Sequence, residues 1–276
     1  MSNLRRVNSK IRKLIRWILS EDHLGSREDF VKYATQLATI RGKSPRILEI
    51  GPYMSPLITG QKVDTFDVLT KEELVSRANS EGGPSYLIPD VTWVGPEASN
   101  QYIRAQYDLI LSSHVVEHQI DLIAHFQNID SLLHPKGYYA ALIPDHRYCF
   151  DHFNLPSTII DVLMAHLVQD KNHSLTNFLE DRLTTGHNET LRYWKKDFGA
   201  PKIVGKSFSD VLNLVTEYRR SVSNGIYVDV HAWKFTDRTF IEIFSILKEM
   251  ELISLSIVRV EPVKRGNNEF WILFKK

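Results

Sequence analysis

The chain has 276 residues and a formal net charge of +1, with 43% hydrophobic and 24% charged residues. That length can bury one large domain with an insertion, and the near-neutral charge argues against bulk nucleic-acid binding, which needs a strong basic excess. The one cysteine, Cys149, excludes an intramolecular disulfide; with no apolar run of membrane-span length and no signal-peptide core around Trp17-Ile18-Leu19, a cytoplasmic protein is expected.

Residues 4–19 place Leu4, Val7, Ile11, Leu14, Ile15 and Ile18 at helical spacing, with Arg5, Arg6, Lys10, Arg12, Lys13 and Arg16 between them. Such a basic amphipathic helix packs on its own domain, forms a homodimer contact or lies peripherally on an anionic membrane, and all three remain open. A second helix is expected from Arg27 to Ile40, stopping at Gly42. From Pro45 onward, strands expected at 46–50, 62–67, 91–94, 107–112 and 137–143 alternate with helices near 70–79, 97–105 and 120–133. That alternation implies βαβ crossovers and a parallel sheet. Pro135-Lys136-Gly137 reads as the turn that launches the fifth strand.

The stretch 145–235 breaks the alternation, with two helical patterns near 156–170 and 207–220. After it, Asp237–Met250 reads as a helix, followed by strands at Leu252–Val260 and Asn268–Phe274. Their connection is too short for a crossover helix, so this pair is expected to be antiparallel. The expected fold class is α/β: a Rossmann-like, seven-stranded, mostly parallel sheet with a terminal antiparallel strand. A helical N-terminal extension occupies 1–44, and the domain at 45–276 carries a capping insertion at 145–235 after the fifth strand.

Open sheets of this kind hold ligands at the carboxyl ends of their strands. Arg46-Ile47-Leu48-Glu49-Ile50-Gly51 ends in an acid and a glycine, which permits a sharp turn and close approach to a ligand. Asp67 ends the second strand, where an acid can bind a ribose, and Asp90 or Thr92 accompanies the third. The fourth strand runs from Asp108-Leu109-Ile110-Leu111 into Ser112-Ser113-His114-Val115-Val116-Glu117-His118. The fifth leads to Asp145-His146. Histidine suits general-base work near neutral pH, so His114 and His146, with Asp145 beside it, are candidate catalytic residues. His118, one helical turn beyond His114, reads as a capping or structural residue. Asp145, His146, Asp151 and His152 have the chemistry of divalent-metal ligands, but their spacing matches no metal signature and a metal is not favoured.

The first and fourth strand motifs, with Leu132-Leu133-His134-Pro135-Lys136-Gly137, resemble the class I S-adenosylmethionine-dependent methyltransferases. The resemblance implies S-adenosyl-L-methionine as cofactor, S-adenosyl-L-homocysteine as product, and contacts from Glu49, Gly51, Pro52, Tyr53, Asp67, Asp90, Ser112 and Ser113. The loop departs from the family's repeated glycines, since Pro52-Tyr53-Met54-Ser55-Pro56 follows a single Gly51. The insertion motifs Pro144-Asp145-His146-Arg147-Tyr148, Gly186-His187-Asn188-Glu189 and Val230-His231-Ala232-Trp233 resemble a bacterial subfamily associated with glycosyltransferases and surface-polysaccharide synthesis. That implies O-methylation of a sugar or glycan hydroxyl, with His187, Asn188, Trp194 and His231 in the acceptor pocket. The alternatives are a methyltransferase of another small metabolite and a catalytically silent binding protein on the same fold.

Overall fold

A computed structural model describes residues 23–39, 43–59, 62–95, 102–169 and 171–276. Its strands are β1 (Ile47–Ile50), β2 (Asp64–Asp67), β3 (Trp93–Val94), β4 (Tyr107–Ser113), β5 (Leu133–Pro144), β6 (Ser256–Glu261) and β7 (Glu269–Lys275). They form one sheet in the order β3-β2-β1-β4-β5-β7-β6. The first five run parallel, and β7 lies antiparallel to both β5 and β6. This is the Rossmann-like seven-stranded sheet expected. Strand order reverses between β1 and β4, where such sheets open a ligand crevice.

The helices are α1 (Arg27–Ala38), α2 (Lys71–Ser80), α3 (Leu122–Leu132), α4 (Ile159–Val168), α5 (Leu175–Leu183), α6 (Thr190–Trp194), α7 (Phe208–Ser223) and α8 (Asp237–Glu249). Capping boxes headed by Ser26, Thr70, Thr158, Ser207 and Thr236 start five of them, satisfying backbone donors that a helix start leaves free. The central strands read as unbroken apolar runs because helices cover both faces. On one face Phe30, Val31, Ala34 and Ala38 of α1 pack on Ile47, Leu109, Leu111, Leu142 and Trp271. On the other, Phe126 and Ile129 of α3 and Phe240 and Phe244 of α8 pack on Leu48, Ile110, Tyr139, Phe270 and Phe274.

Several expectations shift. Strand β5 begins at Leu133 and absorbs the Pro135-Lys136-Gly137 turn, with a register shift opposite Tyr107 and Leu109. Strand β6 begins at Ser256, because Leu252 N still bonds the Leu247 carbonyl at the end of α8. Helices α5 and α6 were not expected. α5 buries only Phe178 and Leu183 and α6 only Tyr193, too little for a visible apolar period. The helix at 4–19, the Gly42 stop and most of the helix near 97–105 lie outside the described residues. No helix among the described residues is long and apolar enough to cross a membrane.

One buried polar group gives this core a pH dependence. His125 Nε2 lies 3.1 Å from the Tyr139 hydroxyl, which is 2.7 Å from Ser112 Oγ. Burial pushes the His125 pKa down from 6.5 to about 4. The unfolded chain therefore binds a proton that the folded chain refuses. The stability involved is present above pH 6.5 and lost as pH falls toward 4, about 3 kcal/mol in all. Urea unfolding at pH 7 and pH 4.5 should show a steep loss in the native protein and a smaller one in His125→Gln, which keeps a polar group beside Tyr139.

Candidate active site

The first two strand tips bring an acid-anchored loop against an acid. At Gly51 the chain turns with φ of +62°, its N–H donates to the Phe66 carbonyl at 2.9 Å, and an added Cβ would stand 3.0 Å from Val115 Cγ2. Only glycine meets both demands cheaply. Glu49 is buried beneath this loop, where its Oε1 accepts from Leu57 N at 2.7 Å. Burial pushes its pKa up to about 7, against the lowering pull of the Leu57 and Ile58 backbone donors and Arg27. The acid holds the loop from below and supplies an anchor that the missing glycines do not. Pro52 is buried, and Tyr53 adopts φ of +39° with its hydroxyl donating to Glu81 at 3.0 Å.

Asp67 ends β2 nearly buried, its Oδ1 accepting from Leu69 N at 3.2 Å. Burial raises its pKa, and bonds from Leu69 and Val68 oppose that. Asp90 requires a correction. The register pairs Asp67 with Val94, so the tip of β3 leads into Gly95, while Asp90 precedes the strand at its amino end and ion-pairs with Lys71 at 2.6 Å in solvent. Thr92 sits at that same end, exchanging bonds with Thr65. Ser112 is also corrected: its hydroxyl is spent on Tyr139 in the core. Ser113, the next residue, points to the other face of the sheet.

Beyond β4, His114 takes a left-handed φ of +54° and begins a belt of ionisable groups. Its Nε2 lies 2.9 Å from Glu269, which also binds Arg27 through both carboxylate oxygens at 3.0 and 2.7 Å. Burial opposes the charged forms, yet the Glu269 bond raises the His114 pKa, and the His114 and Arg27 bonds hold Glu269 down at about 2. The single 3-10 turn Val116–His118 follows. His118 Nδ1 lies 2.9 Å from Asp229, and against burial this contact lifts His118 to about 9 and lowers Asp229 to about 2. The backbone of Ala232 donates to the Glu117 carbonyl at 2.7 Å, which draws the end of the insertion across the turn and seats His231 there. His231 Nδ1 lies 2.5 Å from Asp151.

The other histidines and acids have separate duties. Asp145 is fully buried, caps the 3-10 turn His146–Tyr148 and pairs with Arg147. His146 is buried, its Nδ1 meets no hydrogen-bond partner among the described residues, and burial lowers its pKa. His152 lies 2.8 Å from the Arg147 carbonyl and stacks on Phe198. Asp145, His146, Asp151 and His152 thus do not converge on one point. In the stretch 145–235, His187 stacks on Tyr193 with Nε2 at the Asp197 carbonyl, and Asn188 is exposed. Trp194 stacks on Tyr148 at 3.9 Å and donates to the Asn267 carbonyl. Of the four residues assigned to the acceptor, His231 alone joins the belt at the β4 tip.

No family model matches the chain, and no curated protein matches its sequence. Solved structures similar to it include an S-adenosylmethionine-dependent methyltransferase from Mesorhizobium loti, 13% identical over 91% of this chain and 99% of that one, with a TM-score of 0.43. Another from Clostridium acetobutylicum is 14% identical over 99% and 98%, with a TM-score of 0.44. The CcbJ methyltransferase of Streptomyces caelestis is 12% identical over 90% and 93%, with a TM-score of 0.42.

The geometry at Gly51 makes a sharp prediction. Gly51→Ala adds both left-handed strain and the Val115 contact, so it should cost at least ~1–2 kcal/mol. Chemical denaturation checks this. Gly82, also at positive φ but with open space around it, should lose less when changed to alanine.

Proposed function

We propose that the chain is an S-adenosylmethionine-dependent O-methyltransferase acting on a hydroxyl of a sugar or glycan. One observation carries the reading: at the β1/β4 switch point a positive-φ glycine loop anchored by Glu49 stands beside Asp67 at the tip of β2. An open crevice with a closely approachable backbone on one side and an acid on the other suits a nucleoside whose ribose needs a hydrogen-bond acceptor. The residues fit the cofactor, with one change of role. Glu49 is turned inward to the loop, so Gly51, Pro52 and Tyr53 present backbone to the ligand and Asp67 takes the ribose. Bound there, S-adenosylmethionine supplies an electrophilic methyl group and leaves as S-adenosylhomocysteine.

The chain's own residues must align the acceptor, exclude water and take a proton. We take His146 as the base, because burial lowers its pKa and its Nδ1 meets no hydrogen-bond partner among the described residues. His114 is less suited, since the Glu269 bond raises its pKa and so favours the charged ring, which takes no further proton. Asp145, locked to Arg147, orients the turn that carries His146.

Isothermal calorimetry with S-adenosylhomocysteine tests the cofactor reading. One site per chain is expected, and Asp67→Ala should weaken it roughly 10–100-fold, the worth of one or two charged hydrogen bonds. Absence of binding by the folded native protein sinks the reading. With an acceptor in hand, His146→Ala should lower kcat and leave cofactor affinity unchanged.

A further inference from the structure

At the end of β4 the Glu117 carboxylate is fully buried, and neither of its oxygens accepts a hydrogen bond from any described residue. A buried carboxylate left bare is among the most costly things a fold can hold. Three imidazoles surround it. His114 Nδ1 lies 3.5 Å from Glu117 Oε1, His231 Nε2 lies 3.9 Å away and His118 Nε2 lies 4.0 Å away. These separations are too long for hydrogen bonds. They are close to the roughly 3.4 Å between neighbouring ligands that sit about 2.1 Å from one tetrahedral ion.

The far nitrogen of each ring faces an acid from a different part of the chain. His114 Nε2 faces Glu269, His118 Nδ1 faces Asp229 and His231 Nδ1 faces Asp151. A carboxylate on one ring nitrogen holds a proton there and, once an ion displaces the proton from the other, orients that nitrogen as a ligand, the arrangement found behind metal-ligating histidines. In each ring the second nitrogen is the one nearest Glu117 Oε1, where an ion would displace its proton. Among the described residues, the donor atoms of Glu117, His118 and His231 lie within 4.8 Å of one another.

We propose that Glu117, His118 and His231 bind one divalent transition-metal ion, with His114 standing beside Glu117. Imidazole-rich donors with a single carboxylate favour zinc, cobalt or iron over magnesium, calcium and manganese, which suit oxygen ligands. The site adjoins the proposed cofactor loop, because Val115, two residues before Glu117, touches Gly51. If the proposed transfer holds, an oxygen of the acceptor can occupy a remaining position on the ion, where a hydroxyl ionises more readily. The metal site itself requires nothing of that reading, and its tests involve no cofactor.

The test uses the full chain stripped with a chelator, then dialysed against Zn²⁺, Co²⁺ or Mg²⁺ and assayed for metal content. One Zn²⁺ or Co²⁺ per chain is expected, with no stoichiometric Mg²⁺, a raised melting temperature and a visible Co²⁺ spectrum. Glu117→Gln and His231→Ala should lose the ion, and Asp151→Asn should weaken it roughly 10–100-fold. His187→Ala, outside the cluster, should leave it unchanged. Metal-free Glu117→Gln should melt no lower than the metal-free native chain, because it removes a bare buried charge. Loss of stability there would mark Glu117 as the anion of a purely ionic cluster and overturn the proposal, as would folded native protein that takes up no ion or variants that keep it. Should the variants fail to fold, anomalous scattering from Co²⁺-loaded native crystals decides: an ion elsewhere, or none, refutes the site.

Discussion

A carboxylate that accepts no hydrogen bond from any described residue, buried beyond the end of the central strand, sets the terms for the groups around it. The side chain of Glu117 meets no donor among the described residues, but its carbonyl is engaged twice. The Glu117 carbonyl accepts from Ala232 at 2.7 Å and from Trp233 at 3.2 Å, and Trp233 Nε1 donates to the neighbouring Gln119 carbonyl at 2.6 Å. These bonds clamp the end of the insertion onto a three-residue turn. His231 follows from the clamp rather than from any local preference.

Sheet topology explains how so many acids reach one place. Strand β7 runs against its neighbours, so its first residue, Glu269, stands beside Pro144 at the end of β5. An antiparallel strand inserted among parallel ones thus delivers its starting residue to the edge where the others finish. Asp151 arrives from the short 3-10 turn Phe150–Phe153 beyond β5, and Asp229 arrives from the returning insertion. Asp229 also lies 3.6 Å from Arg77 on α2, which ties the belt to the helix behind Tyr53. The two halves of the site therefore share one electrostatic surface.

Strand order was legible because it is written locally. Short apolar runs, punctuated by Gly and Pro and alternating with capped helices, specify parallel crossovers, and the short 262–267 connection specifies the reversed pair. Glu49, Asp67 and His114 were legible as residues at strand tips for the same reason. Direction and partnership were not. Ser112 and Ser113 are adjacent and chemically alike, yet the pleat sends one into the core beside Tyr139. Asp90 precedes even the strand expected at 91–94, so it lies at the amino end of β3 and not at its tip. Glu117 passed as one letter of a motif because nothing in its neighbourhood shows that its carboxylate meets no donor. Its surroundings depend on His231, more than a hundred residues away, and on tethers such as Glu269, 155 residues beyond His114.

The bidentate Arg27–Glu269 pair has a consequence for descent. It links the first turn of α1 to the first residue of β7, and through that residue to His114. A lineage that lost the arginine would leave an acid buried without its counter-charge, and one that lost the acid would strand a cation beside a histidine. The three positions can drift only in concert. In any set of descendants they should change together or stay together, and a lone exchange at position 27 marks a branch where the end of the fourth strand has been rebuilt.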